Sequence, residues 1–320
     1  MLNRMLVVAI AVAIAPFDLV AAEPEDIKAL SRRLTSEYRS AYRDFETDFR
    51  KAKTNEARLK ILQASNKTIN GIFKDHLKSK AIAAVLPKIA GTSGIDLKPT
   101  FRGVVTGNPD DNIRATALYA MAVHLEHNRG DEKAIISYLK IVKRDFADVP
   151  YDGTTLGKAA TESLYEVEHL RIGKTAPDVE GQDADGTKFR LSDYRGKVIV
   201  LRFWGDWCPF CRAMFPQERE LVQRHKDKPF VLLGVNSDPR PKLKQAQEKK
   251  NLVWRSFWDG GDTAGPIAAT YNVKDWPTIF VIDHTGKLRY KGLGMRDKAL
   301  DNAVDKLLAE LEREAATAQK

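Results

Sequence analysis

Cys208 and Cys211 are the only cysteines in the chain, set two residues apart in the stretch FWGDWCPFCR, 203–212, with a tryptophan directly before the first. Two thiols at this spacing can form a stapling disulfide, supply two ligands to a metal, or exchange electrons as a dithiol–disulfide pair. The staple is weak, because the chain-entropy stabilisation of a disulfide grows with the loop it closes and this loop is very small. The metal site is incomplete, since a closed structural zinc site takes four ligands and the chain has no other cysteine. As a redox pair the residues have a defined order of action. A strand that ends at Trp204 and a helix that begins near Pro209 put Cys208 at the helix N-terminus, where unpaired N–H groups and the positive end of the helix dipole favour a thiolate. Cys211, one turn later and expected to be more buried, is placed to resolve an adduct formed on Cys208.

The elements that must position this pair are legible in the second half of the chain. VIVLRFW, 198–204, is a continuous β-branched and aromatic run, as expected for a strand covered on both faces. CPFCRAMFPQERELVQRHKD then changes to helical spacing. PFVLLGVNSD reads as a second buried strand and PRPKLKQAQEKKNL as a helix opened by proline. VWRSFWD, a short helical GPIAATYNV, then PTIFVID and KLRYKGLG joined at HTG as a hairpin, and a closing helix LDNAVDKLLAELE complete the order. Together they predict an α/β sandwich with a mixed sheet.

At 320 residues the chain has room for two domains. All five tryptophans and both cysteines lie beyond residue 172, and the region before it is rich in Ala, Leu, Lys and Glu at helical spacing. The composition therefore predicts a helical domain over 23–172 and a redox domain over 173–320. Leu34, Tyr38, Tyr42, Phe45 and Phe49 recur at steps of three or four on one helix face. The runs around IRATALYAMAVHLEHNRGDEKAIISYLKIVKRDF resemble one tetratricopeptide-type hairpin. His124 and His127 lie three apart on such a helix without a third ligand nearby, which reads as a solvated pair rather than a metal site. Residues 1–22 have an Arg4 n-region, an apolar run Leu6 to Ala15 and a small-residue site at Val20–Ala22, the pattern of an export signal cleaved after Ala22. Its apolar run is too short for a transmembrane span. The net charge of +9 comes from bases interleaved with acids, without the basic stripe and exposed aromatics of a nucleic-acid surface.

From Gly173 to about Leu311 the chain resembles the TlpA/ResA-like thiol-disulfide oxidoreductases, an extracytoplasmic branch of the thioredoxin superfamily. The landmarks are IGKTAPDVEGQDADGTKFRLSDYRGKVIVLRFWGDWCPFCR, then GVNSD, then YNVKDWPTIFVIDHTGKL. The resemblance implies a thioredoxin-like fold and a catalytic pair of Cys208 as nucleophile and Cys211 as resolving cysteine. It also implies a cis peptide at Pro277 facing the sulfurs, with Trp276 offering its backbone and Trp207 its ring to a substrate chain. Protein thiols or disulfides are the implied substrates, with a separate electron donor or acceptor and no cofactor, metal, nucleic acid or integral membrane span.

The departures from that family bear on chemistry. Arg202 stands where thioredoxin carries a buried acid, six positions before the first cysteine, and Met214 stands where many relatives carry a glutamate. With the acid missing and Arg202 and Arg212 near, the thiolate is expected to be favoured and the disulfide to be oxidising. A peroxiredoxin-like peroxidase is one alternative, although Leu201 and Gly205 replace the proline and hydroxyl that activate peroxide. A copper chaperone of the Sco type is the other, since thiolates suit Cu(I). That type spaces its cysteines differently and adds a histidine, and neither His225, at the far end of the helix, nor His284, in the hairpin turn, is expected to reach the sulfurs.

Overall fold

The computed structural model describes residues 24–293 and 298–318, so the expected signal segment over 1–22 lies outside the described residues. Two compact units divide the chain, one ending at Tyr138 and one beginning at Leu139.

The first unit is helical: α1 (Pro24–Lys51), α2 (Asn55–Lys74), a 3₁₀ turn and α3 (Leu86–Ala90), α4 (Lys98–Gly107) and α5 (Asp111–His127), with α6 (Glu132–Asp145) running across the division. Thr54 and Asp110 cap α2 and α5 by accepting hydrogen bonds from first-turn N–H groups. Leu34, Tyr38 and Phe45 of the α1 stripe are buried in a core with Ile69, Phe73 and Phe101, and Tyr42 and Phe49 pack at its margin. His124 corrects the expected solvated pair. It is buried, its Nε2 accepts the Leu97 N–H at 3.2 Å, and burial holds its imidazole below the usual range, whereas His127 is exposed. The Leu97 contact joins segments 27 residues apart, beyond what helical spacing can reveal.

The second unit opens with a two-residue-per-strand hairpin, β1 (Pro150–Tyr151) and β2 (Thr154–Thr155), and α7 (Leu156–Tyr165), which runs into a π-turn ending at Leu170. Composition groups this segment with the helical half, yet Leu170 and Tyr165 pack into the core of the sheet that follows. That sheet is made of β3 (Glu180–Gln182), β4 (Lys188–Arg190), β5 (Val198–Trp204), β6 (Phe230–Asn236), β7 (Arg255–Trp258), β8 (Thr278–Ile282) and β9 (Leu288–Leu293). Its order is β4-β3-β7-β6-β5-β8-β9. β5 pairs in parallel with β6 and antiparallel with β8, so the sheet is mixed as the sequence predicts. The helices are α8 (Pro209–Arg224), α9 (Arg240–Lys249), α10 (Pro266–Thr270) and α11 (Lys298–Ala318).

Every residue of β5 is buried, which explains its unbroken apolar run. Val198, Val200 and Trp204 face the core beneath α8, α9 and α11, while Ile199, Leu201 and Phe203 face the opposite core. Strand alternation puts Arg202 on the α8 side. β3 and β4 escape a sequence reading because each is three residues long, and between them only Phe189 is fully buried.

Candidate active site

The turn between β5 and α8 is short, and local chemistry fixes each step of it. A Cβ at Gly205 would run into the Trp207 indole, so glycine there lets the ring lie against the turn. The Cys208 N–H donates to the Gly205 carbonyl at 3.1 Å. Cys208 is then the N-cap of α8, in extended backbone, and its sulfur accepts the Cys211 N–H at 3.2 Å. Pro209 begins the helix where a missing N–H costs no hydrogen bond. On the other side the Cys208 sulfur lies 3.6 Å from the Trp276 carbonyl oxygen, and the Trp276–Pro277 peptide is cis. The Trp207 ring lies 6.1 Å from that of Trp276, and its Nε1 donates to Ser237 Oγ at 3.1 Å. All five residues that the sequence singled out, Cys208, Cys211, Trp207, Trp276 and Pro277, thus belong to one place.

Burial refines the expected contrast between the two sulfurs. Cys211 has no exposure, but Cys208 keeps only 2%, beside Trp207 at 50% and Phe210 at 61%. Cys208 is therefore nearly as covered as its partner, under an exposed aromatic rim. The Cys211 thiol is pushed up to about 12 by burial and then by its hydrogen bond with Cys208, with the Arg202 guanidinium and the Gly205 backbone pulling the other way.

Position 202 lacks the acid, as the sequence shows, yet a carboxylate reaches Arg202 from elsewhere. Glu218 of α8 is buried and forms an ion pair with Arg202, whose Nη2 also donates to the Cys211 carbonyl at 2.6 Å. The acid comes from the helix instead of the strand. Arg212 donates to the Asp206 carbonyl. Arg202 is thus paired with Glu218 and Arg212 is held at the Asp206 carbonyl, which weakens the expectation that two unpaired cations make the pair oxidising without removing the pull of Arg202 on Cys211. Glu218 was open to discovery: Cys211, Phe215 and Glu218 are spaced at i, i+4 and i+7, one face of a helix.

A second group missed by sequence reasoning anchors the turn. Asp238 Oδ2 accepts the Asp206 N–H at 2.6 Å and the Asn236 side-chain amide at 2.8 Å, and Ser237 N–H donates to the Trp204 carbonyl at 3.1 Å. The NSD run at the end of β6 was the available signal.

His225 caps the far end of α8, and fourteen residues of helix put it roughly 21 Å beyond Cys211. Its Nε2 lies 3.2 Å from Asp305, and His284 Nε2 lies 3.1 Å from Glu314. Both imidazoles are engaged with α11. No group of three or more potential metal-binding side chains occurs among the described residues. No helix among them is long and apolar enough to cross a membrane.

Residues 172–291 match the AhpC/TSA family. Thiol-disulfide oxidoreductase ResA of Geobacillus kaustophilus (strain HTA426) is 35% identical over 130 residues, covering 40% of this chain and 73% of that protein. Thioredoxin-like protein YneN of Bacillus subtilis (strain 168) is 30% identical over 144 residues, covering 42% of this chain and 80% of that one. Among solved structures, the thioredoxin domain of a thiol-disulfide oxidoreductase from Bacteroides vulgatus aligns over 43% of this chain and 99% of its own, at 30% identity and a TM-score of 0.40.

Proposed function

Because the chain belongs to the ResA-like thiol-disulfide oxidoreductases of the thioredoxin superfamily, we propose that its exchange chemistry runs through Cys208 as the attacking sulfur and Cys211 as the resolving one. One observation carries the assignment: the Cys208 sulfur caps α8 between the Cys211 N–H and the Trp276 carbonyl. At that point the sulfur faces the first-turn N–H groups of α8, and Cys211 is one turn away.

In the reducing direction the Cys208 thiolate attacks one sulfur of a substrate disulfide. A Cys208–substrate S–S bond forms, the substrate bond breaks, and the departing thiolate takes up a proton. Cys211 then loses its proton and attacks the Cys208 sulfur. The Cys208–Cys211 bond forms, the mixed disulfide breaks, and the second substrate thiolate leaves. The pair has given two electrons to the substrate, and a separate donor must return them. The same steps reversed oxidise a dithiol.

Trp207, Trp276 and Pro277 form the substrate-binding rim in this reading. An extended substrate segment adds along the Trp276 backbone, and the apolar faces of Trp207 and Phe210 receive its side chains. Because Cys208 is nearly covered, entry displaces part of that rim, and Trp207 is tethered at its ring nitrogen to Ser237. The substrates are protein thiols and disulfides. The export pattern over 1–22 supports an extracytoplasmic site of action for 173–320, where disulfides persist.

The test uses the full chain with Cys211→Ala and insulin as a disulfide-bearing substrate. A stable mixed disulfide that maps to Cys208 by mass spectrometry is expected, and Cys208→Ala should form none. An adduct that instead maps to Cys211 in the Cys208→Ala protein, with none at Cys208, would overturn the order of the two sulfurs.

A further inference from the structure

The exchange as written leaves the charge pair beneath the sulfurs without a task. Arg202 lies at the centre of the sheet, opposite Gly234 on β6 and Ile279 on β8. A Cβ at Gly234 would collide with Ser256 and the Trp204 ring nitrogen, so glycine keeps this layer open. The guanidinium has one nitrogen on Glu218, one on the Cys211 carbonyl, and its carbon 5.1 Å from the Phe215 ring centroid. Its Nε is buried without a hydrogen-bond partner.

Stability is a poor reason for this arrangement. Burying two charges incurs a desolvation cost that their attraction does little more than offset, and apolar replacements of similar volume are often neutral or stabilising. Position is the more informative fact, because the cation is fixed to the backbone of the cysteine that must ionise in a buried place. Burial opposes that ionisation and Arg202 favours it.

We propose that Arg202 is a positioning residue of the resolving step: its guanidinium, anchored on the Cys211 carbonyl, favours the Cys211 thiolate, and Glu218 sets how strongly. The proposal rests on the assignment of Cys211 as the resolving sulfur. In that step the Cys211 S–H bond breaks, the thiolate attacks the Cys208 sulfur, and the electron pair of the old S–S bond leaves on the substrate sulfur. That sulfur takes up the released proton, so no further reactant is required. The two charged residues act with opposite sign. Losing the cation disfavours the thiolate, whereas losing only the acid leaves the cation uncompensated and favours it.

Dithiobis(nitrobenzoate) separates the steps in the full-length reduced protein. The first nitrothiobenzoate released reports attack by Cys208 and the second reports resolution by Cys211, both followed by stopped flow as a function of pH. An Arg202→Met, Glu218→Leu double variant replaces the pair with apolar groups and is expected to fold. Its first phase should be unchanged and its second slower by about three- to tenfold. Each unit of raised pKa cuts the thiolate tenfold, and added basicity returns less than half of that on the logarithmic scale. Glu218→Gln should speed the second phase and move its pH profile to lower pH. Arg202→Lys should restore most of the wild-type rate. An unchanged second phase in the double variant would overturn the proposal, and so would slowing by Glu218→Gln to the same extent. A wild-type protein that releases only one equivalent would remove the assignment of Cys211 itself, an outcome distinct from failure of the Arg202 role.

Discussion

The two faces of the sheet in the second unit are built to different rules. On the α10 side an aliphatic core holds two groups of aromatic rings: Phe189 stacks on Phe257 at 3.8 Å, and Phe203, Tyr271 and Phe280 meet at 5.1–6.0 Å. The buried phenolic hydroxyl of Tyr271 donates to the Pro177 carbonyl at 2.7 Å. On the α8 side lie both cysteines and the Arg202–Glu218 pair. Trp204 Nε1, Trp254 Nε1 and Ser256 Oγ are also buried there without hydrogen-bond partners. Unmatched buried polar groups destabilise a fold, and here they gather on the side of the sheet that holds the sulfurs. Both faces bury apolar cores, and the α8 face in addition tolerates local cost around the chemistry.

That division is broken most directly by large-to-small changes on the aromatic face. Phe257→Ala or Phe280→Ala should lower stability by about 3–5 kcal/mol in denaturant titrations. The rate at which Cys208 reacts with a small disulfide should stay the same in the folded protein. A large change in that rate would show that the two faces are not independent.

A pH experiment probes the other face. The folded dithiol protein keeps the Cys211 proton up to about 12, while an unfolded chain loses it near ~8.5. Between those values the folded state binds more protons, so the stability of the dithiol form must fall as pH rises. The disulfide form has no thiol to ionise and escapes this loss. Thermal melts of both forms over that range should diverge, and parallel curves would mean that Cys211 is not held protonated by burial.

How far the sequence reveals this arrangement depends on the distance over which each contact acts. β5 and the cap at Cys208 are legible because a continuous apolar run followed by a proline-opened helix is local information. The cis bond at Pro277 is reached only through family resemblance, since most X–Pro bonds are trans. Arg202 is visible as a departure, and helical spacing puts Glu218 on the face of Cys211, but their pairing is not legible because it needs that α8 face to be set against β5. β3 and β4 carry too little buried surface to give an alternating pattern. His124 was misread for the same reason as Arg202: its partner lies on a distant segment.

Smaller effects sharpen the comparison. Tyr271→Phe leaves the Pro177 carbonyl without its donor and should cost about 1–3 kcal/mol, again without altering cysteine reactivity. Trp207→Ala, on the rim above Cys208, should leave stability nearly unchanged and raise the rate of Cys208 alkylation severalfold. An unchanged rate would mean that Trp207 does not control access.

The central claim is that Cys208 and Cys211 form one reversible redox couple on the α8 face. Equilibrating the full chain across glutathione buffers of graded potential, then quenching and counting free thiols, tests it directly. The account predicts a single two-electron transition in which both thiols disappear together into an intramolecular Cys208–Cys211 disulfide. A dithiol that persists across the whole range, or oxidation that yields only glutathione adducts or cross-linked chains, would contradict it.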